Sequence, residues 1–290
     1  MNAQEFTAWL HEPFGPVVSP PHYCRKPLVM GVLNVTPDSF SDGGRYVDPD
    51  KACQRVDEMI EQGVDLVDIG GSSSRPGASL LSDVDELARV LPVITKIARH
   101  TNICLSIDTY HPLVMRAAVE AGVTLINDIM ALRMPGALED VARLGVPVCL
   151  MHMQGEPATM QNNPTYVEGA SASVHQFFSE RILACTEQGI KMDNIMLDPG
   201  IGFGKSNDHN LSIIRGLREF QCHHRPIVLG VSRKSTLGAV LKKEVNHRLA
   251  GGLGVAVYAA LQGAAIIRTH DVDETKQALD MVDAVICAEN

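Results

Sequence analysis

The sequence predicts an α/β fold: a closed (β/α)8 barrel, a single domain with a short N-terminal extension. Three observations carry this reading. Eight short apolar runs recur along the 290 residues, each ending in polar or Gly residues. Stretches with helical spacing lie between them. No break in composition divides the chain. Short runs that are apolar throughout are how parallel strands covered on both faces read. A doubly wound open sheet also alternates strands and helices. Eight even units in one chain favour closure into a TIM barrel, which takes about 250 residues. The extension is then 1–26 and the barrel 27–290.

Taken in order, LVMGVLNV (28–35) is the first strand. The stretch after it, 50–62, puts Ala52, Val56, Met59 and Ile60 on one helical face. DLVDIGG (65–71) leads to a helix over 83–99 with Val84, Leu87, Leu91, Ile94 and Ile97 in a stripe. ICLSID (103–108) leads to 111–121, which groups Leu113, Val114, Ala117 and Ala118. TLINDI, PVCLMHM, IMLDPG, IVLGVS and AAIIRTH follow as strands four to eight. Helices are expected after them near 136–144, 168–188, 208–220, 246–262 and 273–287.

Composition narrows the function. The chain is 45% hydrophobic but only 4% aromatic, so the core is mainly aliphatic. Its net charge is −9 and it has no basic block, which argues against nucleic-acid binding. An anionic substrate needs local cations instead. The seven cysteines include no pair separated by two residues, so neither a disulfide framework nor a zinc site is expected, and a reducing compartment fits. The opening MNAQEFTAWLHEP lacks the marks of a signal peptide, and no apolar run reaches the roughly 20 residues of a membrane span. These features predict a cytoplasmic protein with no membrane partner.

In such a barrel the chemistry sits at the C-terminal strand ends. Asn34, Arg75, Asp108, Asn127, His152, Asp198, Lys234, Arg268 and His270 fall there. Any single Asp or Asn could instead cap the next helix. Together Asp108, Asn127 and Asp198 suit a flat heterocycle rich in N–H donors and ring nitrogens. Lys234 either partners a carboxylate or bonds a ring carbonyl; alone it also reads as a solvated loop residue. Arg268 and His270 are two apart and point to one side, so with Arg75 they can clamp a phosphate or pyrophosphate. The loop NVTPDSFSDGGRY is longer than the usual two to six residues and reads as a lid. Its carboxylates and hydroxyls could meet Mg2+ held on phosphates. GGSSSRPG (70–77) has a linker's composition but follows a buried strand, so it reads either as a slack connection or as a mobile loop where chemistry happens. DPGIGFGK (198–205) lacks the phosphate-loop spacing. Its glycines let backbone approach a planar ligand, with Phe203 as a side wall.

The sequence resembles the dihydropteroate synthase family, from about Leu28 to Ile286. MGVLNVTPDSFSDGG, DIGGxSxRPGA, SIDT, NDI, LMHMQG, DPGIGFGK, GVSRKS and IIRTHDV occur in order and at family-like spacing. The resemblance implies a transferase of folate synthesis. It would join 6-hydroxymethyl-7,8-dihydropterin diphosphate to 4-aminobenzoate through an SN1-like step, with Mg2+ as cofactor. Pterin contacts would fall on Asp108, Asn127, Asp198 and Lys234. Diphosphate contacts would fall on Asn34, Arg75, Arg268 and His270, with Asn34 also at the metal. The aminobenzoate pocket would involve Pro37, Phe40, Ser74, Arg75, Pro76, Phe203, Lys234 and Ser235. Catalysis would rest on Asp108, Asp198, Lys234 and Arg268. Sulfonamides would compete with aminobenzoate, and the chain would form a homodimer through its last helices.

The match departs from the family at two places. The usual loop reads GGESTRPG; here Ser72 stands for Glu and Ser74 for Thr. Ser74 keeps the hydroxyl but loses stiffness, and Ser72 loses a carboxylate. Two rival readings share the barrel. A non-catalytic pterin-binding paralogue would damage the loops, and a pterin-dependent methyltransferase domain would have no use for Arg268 and His270 as a diphosphate clamp.

Overall fold

Each of the eight apolar runs folds as a strand. The computed structural model describes residues 1–14, 25–36, 48–72, 81–155 and 159–288. The strands are β1 Leu28–Asn34, β2 Leu66–Gly70, β3 Cys104–Asp108, β4 Leu125–Asp128, β5 Val148–Met151, β6 Ile195–Asp198, β7 Val228–Gly230 and β8 Ile266–Thr269. All pair in parallel in the order β6-β5-β4-β3-β2-β1-β8-β7. A parallel bridge between Leu197 and Ile227 joins the two ends and closes the barrel.

Every strand is buried on both faces, and alternate residues serve different cores. Val29, Leu33, Val67, Ile69, Leu105, Ile107 and Ile126 belong to the large cluster between the sheet and the outer helices. Leu28, Met30, Leu66, Cys104, Leu125, Cys149, Met196, Val228 and Ile266 form a second cluster inside the barrel. These inner residues sit near the strand starts. The later inward positions are Asp68, Asp108, Asn127, Asp198 and Arg268, so the interior turns from apolar to polar along its axis.

The first of the surrounding helices, α1 Ala3–His11, was not expected from the sequence. Asn2 and Glu5 form a capping box at its start. Its Phe6, Trp9 and Leu10 join the inner cluster and close the barrel floor. The backbone of Cys104 donates to Met1 O at 2.9 Å, and His11 meets Asn194 at 3.0 Å.

The other helices are α2 Pro49–Glu61, α3 Asp83–His100, α4 Pro112–Glu120, α5 Ala137–Leu144, α6 Ala170–Glu187, α7 Asn207–Arg215, α8 Ser235–Leu241, α9 Leu249–Leu261 and α10 Val272–Ile286. Two differences from the sequence reading have clear causes. The helix expected over 208–220 breaks at Gly216 into α7 and a 3-10 segment, Leu217–His223. In α3 the buried stripe is Glu86, Val90, Val93, Ile94 and Ile97, while Val84 is exposed. Glu86 takes a core position because its carboxylate meets His111 Nδ1 at 2.5 Å, which offsets the cost of burying a charge.

Candidate active site

The strand register brings the polar residues to one level. Asn34 lies opposite Gly70, Gly70 opposite Asp108, and Asp108 opposite Asn127. Gly70 leaves a gap there: a methyl on it would lie 3.6 Å from Asp108 Cβ and 3.9 Å from Asn34 Oδ1. On β8, the strand beside β1, Arg268 is paired in register with Gly230 of β7.

Arg268 organises the centre. Its Nε donates to Asp68 Oδ2 at 2.6 Å and its Nη2 to Asp108 Oδ2 at 2.7 Å. Asp68 is fully buried and also accepts from Asn127 Nδ2 at 3.0 Å. Two carboxylates thus share one guanidinium. Burial pushes Asp108 up to about 7, with Arg268 opposing the shift and Asp68 adding to it. Burial disfavours the Arg268 charge, but Asp68 and Asp108 outweigh it and hold that charge above its ordinary range. Asp68 Oδ1 and Ser106 Oγ, on register-paired residues, have no protein partner among the described residues. The floor of the site therefore keeps polar capacity for a bound donor.

Lys234 stands beside this network. A methyl on Gly230 would touch both Arg268 Cβ at 3.7 Å and Lys234 Nζ at 3.8 Å. Lys234 Nζ donates to Ile201 O at 2.5 Å and lies 4.9 Å from the centre of the Phe203 ring. Burial lowers it to about 8, with Asp198 opposing the shift and Arg268 adding to it. Asp198 is itself raised by burial, against the pull of Lys234, and accepts from Gly200 N at 2.7 Å. Phe203 packs on Ile129, Met151, Met153 and Met160, an apolar wall beside Lys234.

A buried lysine ties the DPGIGFGK loop in place. Lys205 is 3% exposed, and its Nζ meets His152 Nδ1 (2.8 Å), Gly200 O (2.9 Å), Phe203 O (3.0 Å) and His152 O (3.2 Å). Burial and the Lys205 charge depress His152 to about 2, so its ring is neutral and can accept. Gly200 has φ +67°, and a methyl there would lie 1.9 Å from His152 O. Only glycine permits this contact.

A family model described as pterin binding enzyme matches residues 30–270. A dihydropteroate synthase of Escherichia coli (strain K12) is 47% identical over 262 residues, covering 90% of this chain and 93% of that one. The chain belongs to the dihydropteroate synthase family. A Haemophilus influenzae dihydropteroate synthase is 45% identical over 89% of this chain and 94% of its own. A Yersinia pestis dihydropteroate synthase solved with a sulfonamide drug superposes with a TM-score of 0.86 at 46% identity, covering 91% of this chain and 95% of that one. One from Xanthomonas albilineans, solved with 7,8-dihydropteroate, gives 0.82 at 40% identity over 91% and 95%.

Among the residues expected for a dihydropteroate synthase, Asp108, Asn127 and Arg268 are drawn together through Asp68. Asp198, Lys234 and Phe203 line the adjoining side. Asn34 flanks Gly70, and His270 Nδ1 lies 3.1 Å from Ser232 Oγ just past β8. Ser235 is the exposed first residue of α8. Pro37, Phe40, Ser74, Arg75 and Pro76 lie outside the described residues. Ser72 is described and half-buried. Three contributors escaped the sequence reading: Asp68, Ser106 and Lys205. The signal for Asp68 was present, since an acid in mid-strand two residues before Gly70 shares its inward side.

Proposed function

We propose that this chain condenses 6-hydroxymethyl-7,8-dihydropterin diphosphate with 4-aminobenzoate to give 7,8-dihydropteroate and diphosphate. The observation that carries the residue roles is the Asp68–Arg268–Asp108 network with Asn127 at its edge and Lys234 beside it. It offers acceptors to the donor edge of a pterin. The ionised Asp108 and Asp198 favour a pterin that gains positive charge as the C–O bond to diphosphate stretches. That bond breaks with its electron pair on the leaving diphosphate. The arylamine nitrogen then attacks the methylene carbon and loses a proton. Arg268, whose Nε and Nη2 bond carboxylates, would together with His270 stabilise the leaving group, where negative charge grows. Lys234, over Phe203, sits between the pterin and aminobenzoate pockets. No covalent enzyme intermediate is needed.

Mg2+ fits this donor set. Asn34 supplies a single neutral oxygen, and the nearby carboxylate of Asp108 is already paired with Arg268. A cation here would be held by Asn34 and mainly by diphosphate oxygens and water, as Mg2+ prefers. When bound, it would neutralise charge on the departing diphosphate. The chain works as a homodimer in this reading, with contacts from the last helices, α9 and α10. Among the described residues no helix is long and apolar enough to cross a membrane.

Diphosphate release from the pterin diphosphate, with Mg2+ and with aminobenzoate added or withheld, tests the reading. Stoichiometric diphosphate and dihydropteroate are expected when both substrates are present. Tight pterin binding without product would shift the assignment to a non-catalytic pterin-binding paralogue.

A further inference from the structure

A second cluster of metal-ligating side chains lies apart from the substrate network. The helix α6 and the 3-10 segment before β7 bring His175, Cys222 and His223 together. His175 Nδ1 and His223 Nε2 are 3.1 Å apart, and Cys222 Sγ lies 3.7 Å from His175 Nδ1. One ligand atom from each residue lies within 4.8 Å of the other two, and among the described residues no other His, Cys, Asp or Glu group meets this condition. Two sequence-distant elements converge here, so the grouping is a product of the fold.

We propose that His175, Cys222 and His223 form a zinc-binding site that staples α6 to the segment leading into β7. Zinc bonds of about 2.0–2.1 Å to nitrogen and about 2.3 Å to sulfur, at tetrahedral angles, place ligand atoms roughly 3.3–3.6 Å apart. The observed 3.1 and 3.7 Å span that range. Both rings are fixed from behind. His223 stands edge-on to Phe178 at 5.6 Å, and His175 packs on Phe220 at 4.4 Å. Cys222 is exposed, which gives the ion an entry path and leaves the fourth position to water. Glu219 acts electrostatically on both His175 and Cys222 and adds negative field for a cation. Binding exchanges the Cys222 thiol proton for a Zn–S bond and leaves the imidazoles neutral, releasing one proton per ion. The soft nitrogen and sulfur donors separate this site from Mg2+, which takes oxygen.

Chelator-stripped full-length protein in excess Mg2+ is titrated with Co2+ and then with Zn2+. One Co2+ per chain is expected, with a thiolate-to-cobalt charge-transfer band that Zn2+ abolishes by displacement. Cys222→Ser should lose the band, and it and His175→Ala should each weaken Zn2+ binding by more than about 100-fold, beyond the loss from disturbing an outer-sphere partner. Cys287→Ser, at another exposed cysteine, should bind as the parent does. Zn2+ should raise the melting temperature of the parent and not of Cys222→Ser, whose synthase activity should be unchanged. Circular dichroism should first show that each variant is folded. A band that persists in Cys222→Ser, equal Zn2+ affinity across the variants, or no stoichiometric binding by the parent would overturn the proposal.

Discussion

Two carboxylates that share one guanidinium set the pH behaviour of the site. Asp108 is pushed up to about 7 by burial, so its ionised form grows as pH rises through that value. Lys234 is lowered to about 8, so its charge is lost as pH rises further. The kcat/KM profile, which reports the free enzyme, should be bell-shaped with limbs near these two values. Asp108→Asn should remove the acid limb. The same shift affects stability: folded Asp108 holds its proton more tightly than the unfolded chain, so its contribution is full below the ordinary carboxylate range and lost as pH rises toward 7. Asp68→Asn removes a like charge from beside Asp108, so the acid limb should move to lower pH. It should also cost about 1.5–3 kcal/mol in chemical denaturation, the worth of a hydrogen bond to a charged group. An unmoved limb would remove Asp68 from this role. The mid-strand position of Asp68 marked it as inward-facing, but nothing near it in the sequence showed what it pairs with. Its pairing partner, Arg268, is 200 positions away.

At the scale of elements, the strands were the most legible, because a strand buried on both faces leaves an unbroken apolar run. The helices were legible where their faces are simple. Glu86 disguised the α3 stripe, because its burial depends on His111, which lies beyond β3 at the start of α4. Gly216 broke the helix expected over 208–220, and only one of its two pieces continues the helical spacing. That second piece carries Cys222 and His223, whose convergence with His175 cannot be seen along the chain. Cysteine spacing alone, from which no zinc site is expected, therefore does not test the site proposed above. The DPGIGFGK turn was recognised by its glycines, but its fastener, Lys205, reads there as one more cation. Lys205→Met should take away the lysine donor from Phe203 O and His152 O and loosen the wall that holds Phe203. A loss of about 1–3 kcal/mol is expected, the cost of leaving a buried acceptor unpaired, together with weaker pterin binding by calorimetry. The His152 ring should titrate above its value of about 2 by NMR, since the Lys205 charge that depresses it is gone.

The whole molecule divides along the barrel axis into an apolar floor and a polar mouth. The fold class was legible from eight repeats of run and helix, whereas the closure of the floor by α1 was not. The capping signal from Asn2 to Glu5 was there, but no pattern in an isolated nine-residue helix says what it covers. Phe6 is fully buried in that floor. Phe6→Ala should lower the unfolding free energy by about 3–5 kcal/mol, the usual cost of emptying a buried aromatic site. Urea denaturation measures this, and kcat/KM at permissive temperature should stay near the parent value. A large loss of activity without a loss of stability would mean that the two ends are coupled.

Trp9 is the chain's single tryptophan, and it sits in that floor. It is stacked on Phe6 at 5.8 Å, edge-on to Phe14 at 5.2 Å and covered by the Arg25 guanidinium at 4.9 Å. Intrinsic tryptophan emission is therefore an optical gauge of one end of the barrel alone. It should stay steady while pterin and aminobenzoate fill the other end, and it should move when denaturant lifts α1. The protein thus carries a built-in probe that separates unfolding from ligand binding in a single cuvette.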